Sequence, residues 1–368
     1  MSAPGRLPRW ADYGLLPLLN LCAALLISGL VIRLIGESPW AALKLMAAGA
    51  FGAQDSVGYT LFYATDFVFT GLAVAVAVHA GVFNIGGEGQ AYIGGLGVGL
   101  VGLAFGSWSP WIVVPLGIAA ACAFGAAWAF VPAWLQARRG SHIVITTIMF
   151  NFIASALMTY LLVNVLIKPG QQSPESREFG PGAVMPSVHQ ALGMIGIPFA
   201  PSPFNLASLL ALAACLLVWV FIWRTRWGYA LRVFGQNPQA ALYAGISPQR
   251  TILVSMLISG GLAGCLGVNE LMGSEHRILL DFPGGAGFVG IAVALMGRNH
   301  PAGILAASLL FGALYQGGSQ LAFDMPHVNR DMVVLIQGLV ILFCGALENI
   351  FRVPLAALLC RAGGSGRT

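Results

Sequence analysis

Charge is scarce in this chain. Asp, Glu, Lys and Arg make up 8% of its 368 residues, against roughly 25% in a soluble domain. With 58% hydrophobic residues, it cannot cover a globular surface with polar groups, so lipid must be its solvent. Other features are missing too. No CxxC pair occurs among the six cysteines, which excludes the usual zinc spacing and a disulfide framework. Nearly all of those cysteines lie inside apolar runs, where they read as small packing residues. There is no G-x-x-x-x-G-K-[ST] phosphate loop. Neither a metal-spaced His/Cys/Asp/Glu cluster nor a nucleophile constellation appears, so no catalytic or metal-ligating residue is expected. The net charge of +5 is carried mostly by scattered arginines. Without a basic run or an aromatic-interleaved basic patch, nucleic acid is an unsuitable partner.

What is present is a series of apolar segments. They fall near residues 15–35, 57–80, 88–106, 111–131, 143–167, 204–223, 251–271, 285–297, 301–317 and 332–351. A helical span needs about 20 mainly apolar residues. The pattern predicts an all-α integral membrane protein with about ten membrane segments. The eighth is too short to span upright and predicts a short or re-entrant helix lying against protein. A further helical stretch, SPWAALKLMAAGAFG at 38–52, fits the outer surface or the side of the bundle. No linker interrupts the chain, which reads as one transmembrane domain over residues 1–368. Arg6 and Arg9 precede a span-length apolar core with no small-x-small cleavage site, so the first segment is expected to be retained.

Lys and Arg set the orientation. With both termini in the cytoplasm, 12 of the 18 fall on inside segments, including Arg138, Arg139, Arg224, Arg226 and Arg298. The positive-inside tendency favours that arrangement. The stretch at 168–203, rich in proline and glycine, is then an extracytoplasmic loop or cap, and 224–250 is cytoplasmic.

Helix starts are marked by Ser38-Pro39, Ser109-Pro110, Ser202-Pro203, Asn237-Pro238, Ser247-Pro248 and His300-Pro301. A capping side chain followed by proline in the first turn suits the orphaned amides there. His300 is a poor cap, which points to Asn299 at the last of these starts. Within 224–250, NPQAALYAG reads as a miniature helix capped by Asn237 and ended by Gly245. A helix so short is unstable alone and needs something packed on it.

Residues 81–90, GVFNIGGEGQ, place Asn84, Glu88 and Gln90 among four glycines between two apolar runs. Glycine permits unwound backbone, which at membrane depth is tolerated against protein or a wet cavity. Two roles are open for Glu88: contact with a solute, or stabilisation of its own helix start and a partner helix. Asn151 lies within a span and is suited to bonding between helices. Asp66 reads as a helix-start residue near the outer face, His79 as a packed or bonded histidine, and Glu348 as interfacial.

Four blocks carry a family resemblance. ALRVFGQNPQAALYAGI, NIGGEGQ, GFVGIAVALMGRNHPAG at 287–303 and ITTIMFNFIA at 145–154 stand in the order found in ABC importer permeases of the simple-sugar and nucleoside branch. The chain resembles that family, relatives of the ribose permease, over nearly its whole length. The combination is most similar to the nucleoside or basic-membrane-protein-associated subgroup. One departure is Ile143, where that subgroup often has an acid.

The resemblance implies a membrane-embedded transport subunit, not an enzyme, in a bacterial inner membrane. It implies a separate ABC ATPase that uses ATP, an extracytoplasmic substrate-binding protein and a second permease, by subgroup habit a paralogue. No cofactor is expected on this chain. Coupling to the ATPase falls on Gly235, Asn237, Pro238, Ala240, Ala241, Leu242, Tyr243 and Gly245, with Ala240, Ala241 and Ala244 on the exposed face and Leu242 or Tyr243 as anchor. A substrate pathway falls on Asn84, Glu88, Gln90 and Asn151. The alternative is an autonomous secondary transporter or channel, with Asp66 or Glu88 as a proton or ion site.

Overall fold

A computed structural model describes Pro8, Ala11 and residues 15–325, 327–328, 330–343 and 352–355. Both chain ends, together with Cys344, Glu348 and Cys360, lie outside the described residues.

The described chain is helical. Its α-helices are α1 (Leu16–Leu34), α2 (Pro39–Phe51), α3 (Gln54–His79), α4 (Gly87–Phe105), α5 (Pro110–Arg139), α6 (Ile143–Asn164) and α7 (Val188–Met194). They continue as α8 (Ala207–Arg224), α9 (Arg226–Gln236), α10 (Pro238–Tyr243), α11 (Pro248–Gly264), α12 (Ala286–Met296), α13 (Pro301–Asp324) and α14 (Arg330–Ile341). Among the described residues, six helical stretches are long and apolar enough to cross a membrane, or up to seven if the pair α1–α2, bent by 119°, is one span. Three of the expected segments fall outside that count: 88–106, 285–297 and 332–351, the last of which is described only as the 12-residue α14 and otherwise runs past the described residues. Seven of the 19 positions of α4 are glycine, which contributes little hydropathy. The 11 residues of α12 are apolar but short.

The chain divides into two compact units, residues 53–313 and residues 1–52 with 314–368. In the second of these, the bend between α1 and α2 turns on Gly36, whose φ of 95° suits glycine. There Ser38 caps α2 and Pro39 begins it.

In the larger unit, α4 packs on α5 and α6, α11 on α5 and α3, and α12 on α3. Small residues let these backbones approach, as membrane helices require in the absence of a hydrophobic drive between them. A β-carbon at Gly125 of α5 would lie 2.2 Å from the Gly260 carbonyl oxygen of α11. Beyond α11 the chain continues as a π-helical turn, Val268–Glu275.

The two ends of α3 carry different neighbours. Near its start, Gly58 lies against Ser202 of the 168–203 stretch. That stretch contains a 3₁₀ turn at Pro181–Ala183 and α7. Its backbone is tied down by Ser176 N to Ile278 O at 3.0 Å and Met185 N to Met272 O at 2.8 Å. At the other end, the His79 carbonyl meets Gly235 at the end of α9. At 1.5 Å per residue, the stretch of α3 from Gly58 to His79 separates the two by about 32 Å.

Three local expectations are corrected. Ser202-Pro203 starts no helix; α8 begins at Ala207, whose amide is taken by Asn205 Oδ1 at 2.8 Å. At α13 the cap is His300, not Asn299. The His300 ring Nδ1 accepts from Ala302 N at 3.2 Å and its carbonyl accepts from Ile304 N at 2.9 Å. Asn299 is held at φ 53°, with its side-chain oxygen unpartnered. Asp66 is not near a helix start but buried in the middle of α3, where its Oδ1 accepts from Asn269 Nδ2 at 3.0 Å. A free carboxyl inside the bundle costs more than a bonded one, so its partner on the π turn decides its place.

Candidate functional site

The 81–90 segment leaves α3 at Gly81, whose φ is 66°, and enters α4 at Gly87. Its side chains lock the break. Asn84 Nδ2 donates to Gln90 Oε1 at 2.8 Å and to Ser259 Oγ of α11 at 2.9 Å. Gln90 Nε2 donates back to Asn84 Oδ1 at 3.1 Å, which also accepts from Gly86 N at 2.9 Å. The Ser259 hydroxyl passes on to the Ala73 carbonyl of α3 at 2.6 Å. Asn84 and Gln90 are both buried, and the chain of bonds satisfies groups that the unwound backbone would strand.

Asn151 closes the same break from α6. Its Nδ2 donates to Ile85 O and its Oδ1 accepts from Gly89 N, each at 2.9 Å. One amide side chain thus supplies both an acceptor and a donor to backbone that no helix satisfies.

Glu88 points elsewhere. Its Oε1 accepts from Gly285 N and its Oε2 from Gly287 N, each at 2.8 Å. These amides open α12, while Glu88 itself lies in the first turn of α4. The carboxylate therefore sits at two helix N-termini together, where negative charge is favoured. Close approach makes this possible: a β-carbon at Gly287 would lie 2.2 Å from Glu88 N.

The structure brings Asn84, Glu88, Gln90 and Asn151 together around one break, and adds Ser259, Gly285 and Gly287, which the sequence reading missed. The glycines are visible in GGAG at 284–287, which runs into the 287–303 block. Ser259 had no signal beyond one hydroxyl in an apolar run.

The second group is α10. Asn237 Oδ1 accepts from Ala240 N at 3.0 Å, and Pro238 fills the first turn. Gly245, at φ 76°, ends the helix, with Ile246 N returning to Ala241 O at 2.9 Å. Leu242 is 58% exposed and Tyr243 is 93% exposed. Pro238, Ala240 and Ala244 are exposed as well. Ala241 is not on that face. It is fully buried in a cluster with Ala77, Val82, Ile143, Leu231, Phe234 and Met256. On a six-residue helix one position must face the bundle that holds it, and Ala241 is that position. Gly235 lies behind α10, against the backbone at His79 and Gly81. Ile143, where the subgroup often has an acid, lies in the same apolar cluster.

Residues 56–345 match the family described as the branched-chain amino acid transport system permease component. The chain belongs to this permease family. It is 34% identical to the glucose ABC transporter permease TsgB13 of Haloferax volcanii over 97% of its length and 93% of that protein. It is 35% identical to the guanosine ABC transporter permease NupP of Bacillus subtilis, over 89% of its own length and 92% of that protein. The nucleoside ABC transporter permease NupB of Lactococcus lactis subsp. cremoris is 30% identical, with 93% of each chain covered. The protein is thus a multi-pass permease subunit of an ABC importer, in the ribose-permease-like branch, and a transport component, not an enzyme. Family membership implies an ATPase and a substrate-binding partner.

Proposed function

We propose that this permease forms the translocation pathway for nucleosides or simple sugars, as one permease domain over residues 1–368. The relatives named for guanosine, nucleosides and glucose support a cargo with a hydroxylated ring. The chain itself carries no cofactor; ATP is used by a separate ATPase, and the second permease is a paralogue. The protein sits in a bacterial inner membrane with about ten membrane segments, α12 counted as a short one. Both termini and residues 224–250 face the cytoplasm, and 168–203 face outward. Support for that orientation comes from the arginine distribution and from the placement of the two stretches at opposite ends of α3.

The observation that carries the reading is α10. It is a capped, glycine-ended helix anchored inward by Ala241, with Leu242 and Tyr243 exposed. Large exposed side chains on a rigid knob suit insertion into a groove of another protein. From there the path inward is short. Gly235 touches the backbone at His79 and Gly81, and Gly81 begins the segment that Asn84, Gln90 and Asn151 lock and that Glu88 ties to α12. These four residues shape the pathway by fixing α4, α6, α11 and α12 around the break. Both Glu88 oxygens are engaged by amides, which favours this role over an autonomous carboxylate ion site.

The test is uptake by proteoliposomes holding this permease with its ATPase and second permease, supplied with the binding protein. ATP-dependent accumulation of guanosine or glucose supports the reading. Accumulation by the permease alone, with no ATPase, overturns it.

A further inference from the structure

At the end of the bundle remote from α10 there is a cavity of about 360 Å³. It is lined by Tyr59 near the start of α3, His189 and Gln190 on α7, Ser202, and Ser274 and His276 at the end of the π turn. None of its lining residues is Asp, Glu, Lys or Arg. The cavity is nevertheless polar in a specific way. On its lining residues, Ser187 Oγ, Ser202 Oγ, His189 Nδ1 and His276 Nδ1 are each buried with no hydrogen-bond partner. Ser202 as a residue is 9% exposed. Buried polar groups are normally paired, so four unpaired ones on the residues that line a single cavity need an explanation. His276 adds a second oddity. Its φ is 55°, a region that residues other than glycine adopt uncommonly. Its amide and carbonyl are nonetheless fixed, by Leu271 O at 2.9 Å and Phe179 N at 2.7 Å. The backbone holds the imidazole in place against a local conformational cost, as happens at binding sites.

The chemistry of the lining selects its ligand. Serine and tyrosine hydroxyls and imidazole nitrogens offer donors and acceptors, and the glutamine side chain does both. With no formally charged side chain in the lining, an ion would be unmatched there, whereas hydroxyl groups, which also donate and accept, would be satisfied. The volume lies in the range of small-molecule pockets and suits one five- or six-membered sugar ring.

We propose that this cavity is a reception subsite for the hydroxylated ring of the solute, on the face of the permease opposite the ATPase. The proposal rests on the import reading above and narrows it. The shared sugar ring is what this cavity recognises, and the base of a nucleoside is left outside it. The subsite binds weakly, since solute must leave it for the pathway.

Saturation-transfer NMR on the purified full chain, with D-ribose and guanosine as probes, tests this. Transfer to the ribose-ring protons of both probes is expected. Ser202→Ala and His276→Asn should each weaken it about ten-fold, the effect of one lost hydrogen bond. Asparagine tolerates the left-handed backbone, so His276→Asn removes the imidazole without straining the turn. The thermal midpoint of each variant identifies any that fails to fold. His189→Gln, on the short α7, then takes its place with the same expectation. Equal transfer in wild type and folded variants, or transfer confined to the guanosine base with none to ribose, overturns the subsite. ATP-driven uptake by the complete complex separates the two levels. If the wild-type complex imports while the variants bind as wild type does, the subsite fails and the import reading stands. If the variants lose binding while the wild-type complex imports neither probe, the subsite stands and the import reading fails.

Discussion

The backbone of Gly235 lies against the carbonyl of His79, so closely that a β-carbon at residue 235 would sit 2.3 Å from that oxygen and 2.9 Å from Gly81 N. The end of α9, the end of α3 and the start of the 81–90 segment therefore meet with no side chain between them. This contact gives the proposed coupling a backbone route from α10 to the break in the bundle.

Gly235→Ala should wedge this contact apart. Overpacking of this kind costs about 1–3 kcal/mol. Because Leu242 and Tyr243 are untouched, the ATPase should still co-purify, while solute imported per ATP hydrolysed should fall. Wild-type coupling in this variant would show that the contact transmits nothing.

Glu88→Gln keeps the size of the side chain but turns one acceptor into a donor facing the amide of Gly285 or Gly287. An unmet buried donor costs about 1–3 kcal/mol. Uptake should fall with little change in the amount of protein in the membrane, because only the α4–α12 tie is affected. Uptake equal to wild type across the substrate range would remove Glu88 from the mechanism.

Cys122 Sγ of α5 and Cys265 Sγ, just beyond α11, lie 3.4 Å apart. Copper phenanthroline, as oxidant, should take two electrons and release two protons to form a disulfide between them. Peptide mapping by mass spectrometry should find that link, and Cys122→Ser should abolish it. Absence of the link in the wild type would contradict the packing of α5 on α11.

Local structure was legible in the sequence wherever one stretch of chain settles it. Pro39, Pro110, Pro238, Pro248 and Pro301 each open a helix. Asn237 caps α10 and Gly245 ends it, because capping and left-handed termination are decided within a few residues. The break at 81–90 was visible from its glycines. Partners distant in the chain were not legible. Nothing near residue 88 signals that its carboxylate meets amides 197 and 199 residues away. Asp66 was misplaced because its partner Asn269 lies on the π turn. Ala241 was assigned to the wrong face, since a helix of six residues shows too little periodicity to tell its buried side from its exposed one. Ser202-Pro203 carried the helix-start signature, but Asn205 stands nearer to the first free amide and takes it.

Ala241 gives a contrast within α10. Ala241→Arg should disrupt the apolar cluster around Val82, Leu231 and Phe234, where an unpaired charge has no partner. It should lower the amount of folded permease as well as uptake. A well-folded Ala241→Arg permease that merely fails to hold the ATPase would place residue 241 on the docking face.

Co-purification of the ATPase with Tyr243→Asp and Leu242→Asp permeases, followed by ATP hydrolysis in the reconstituted complex, tests the central claim most directly. Loss of an interface anchor costs about 1–2 kcal/mol or more, about ten-fold in affinity. Both variants should fold as the wild type does, lose most of the bound ATPase and lose solute-stimulated hydrolysis. Retention of the ATPase and of stimulated hydrolysis at wild-type levels in both would show that α10 is not where ATP-driven movement enters this permease.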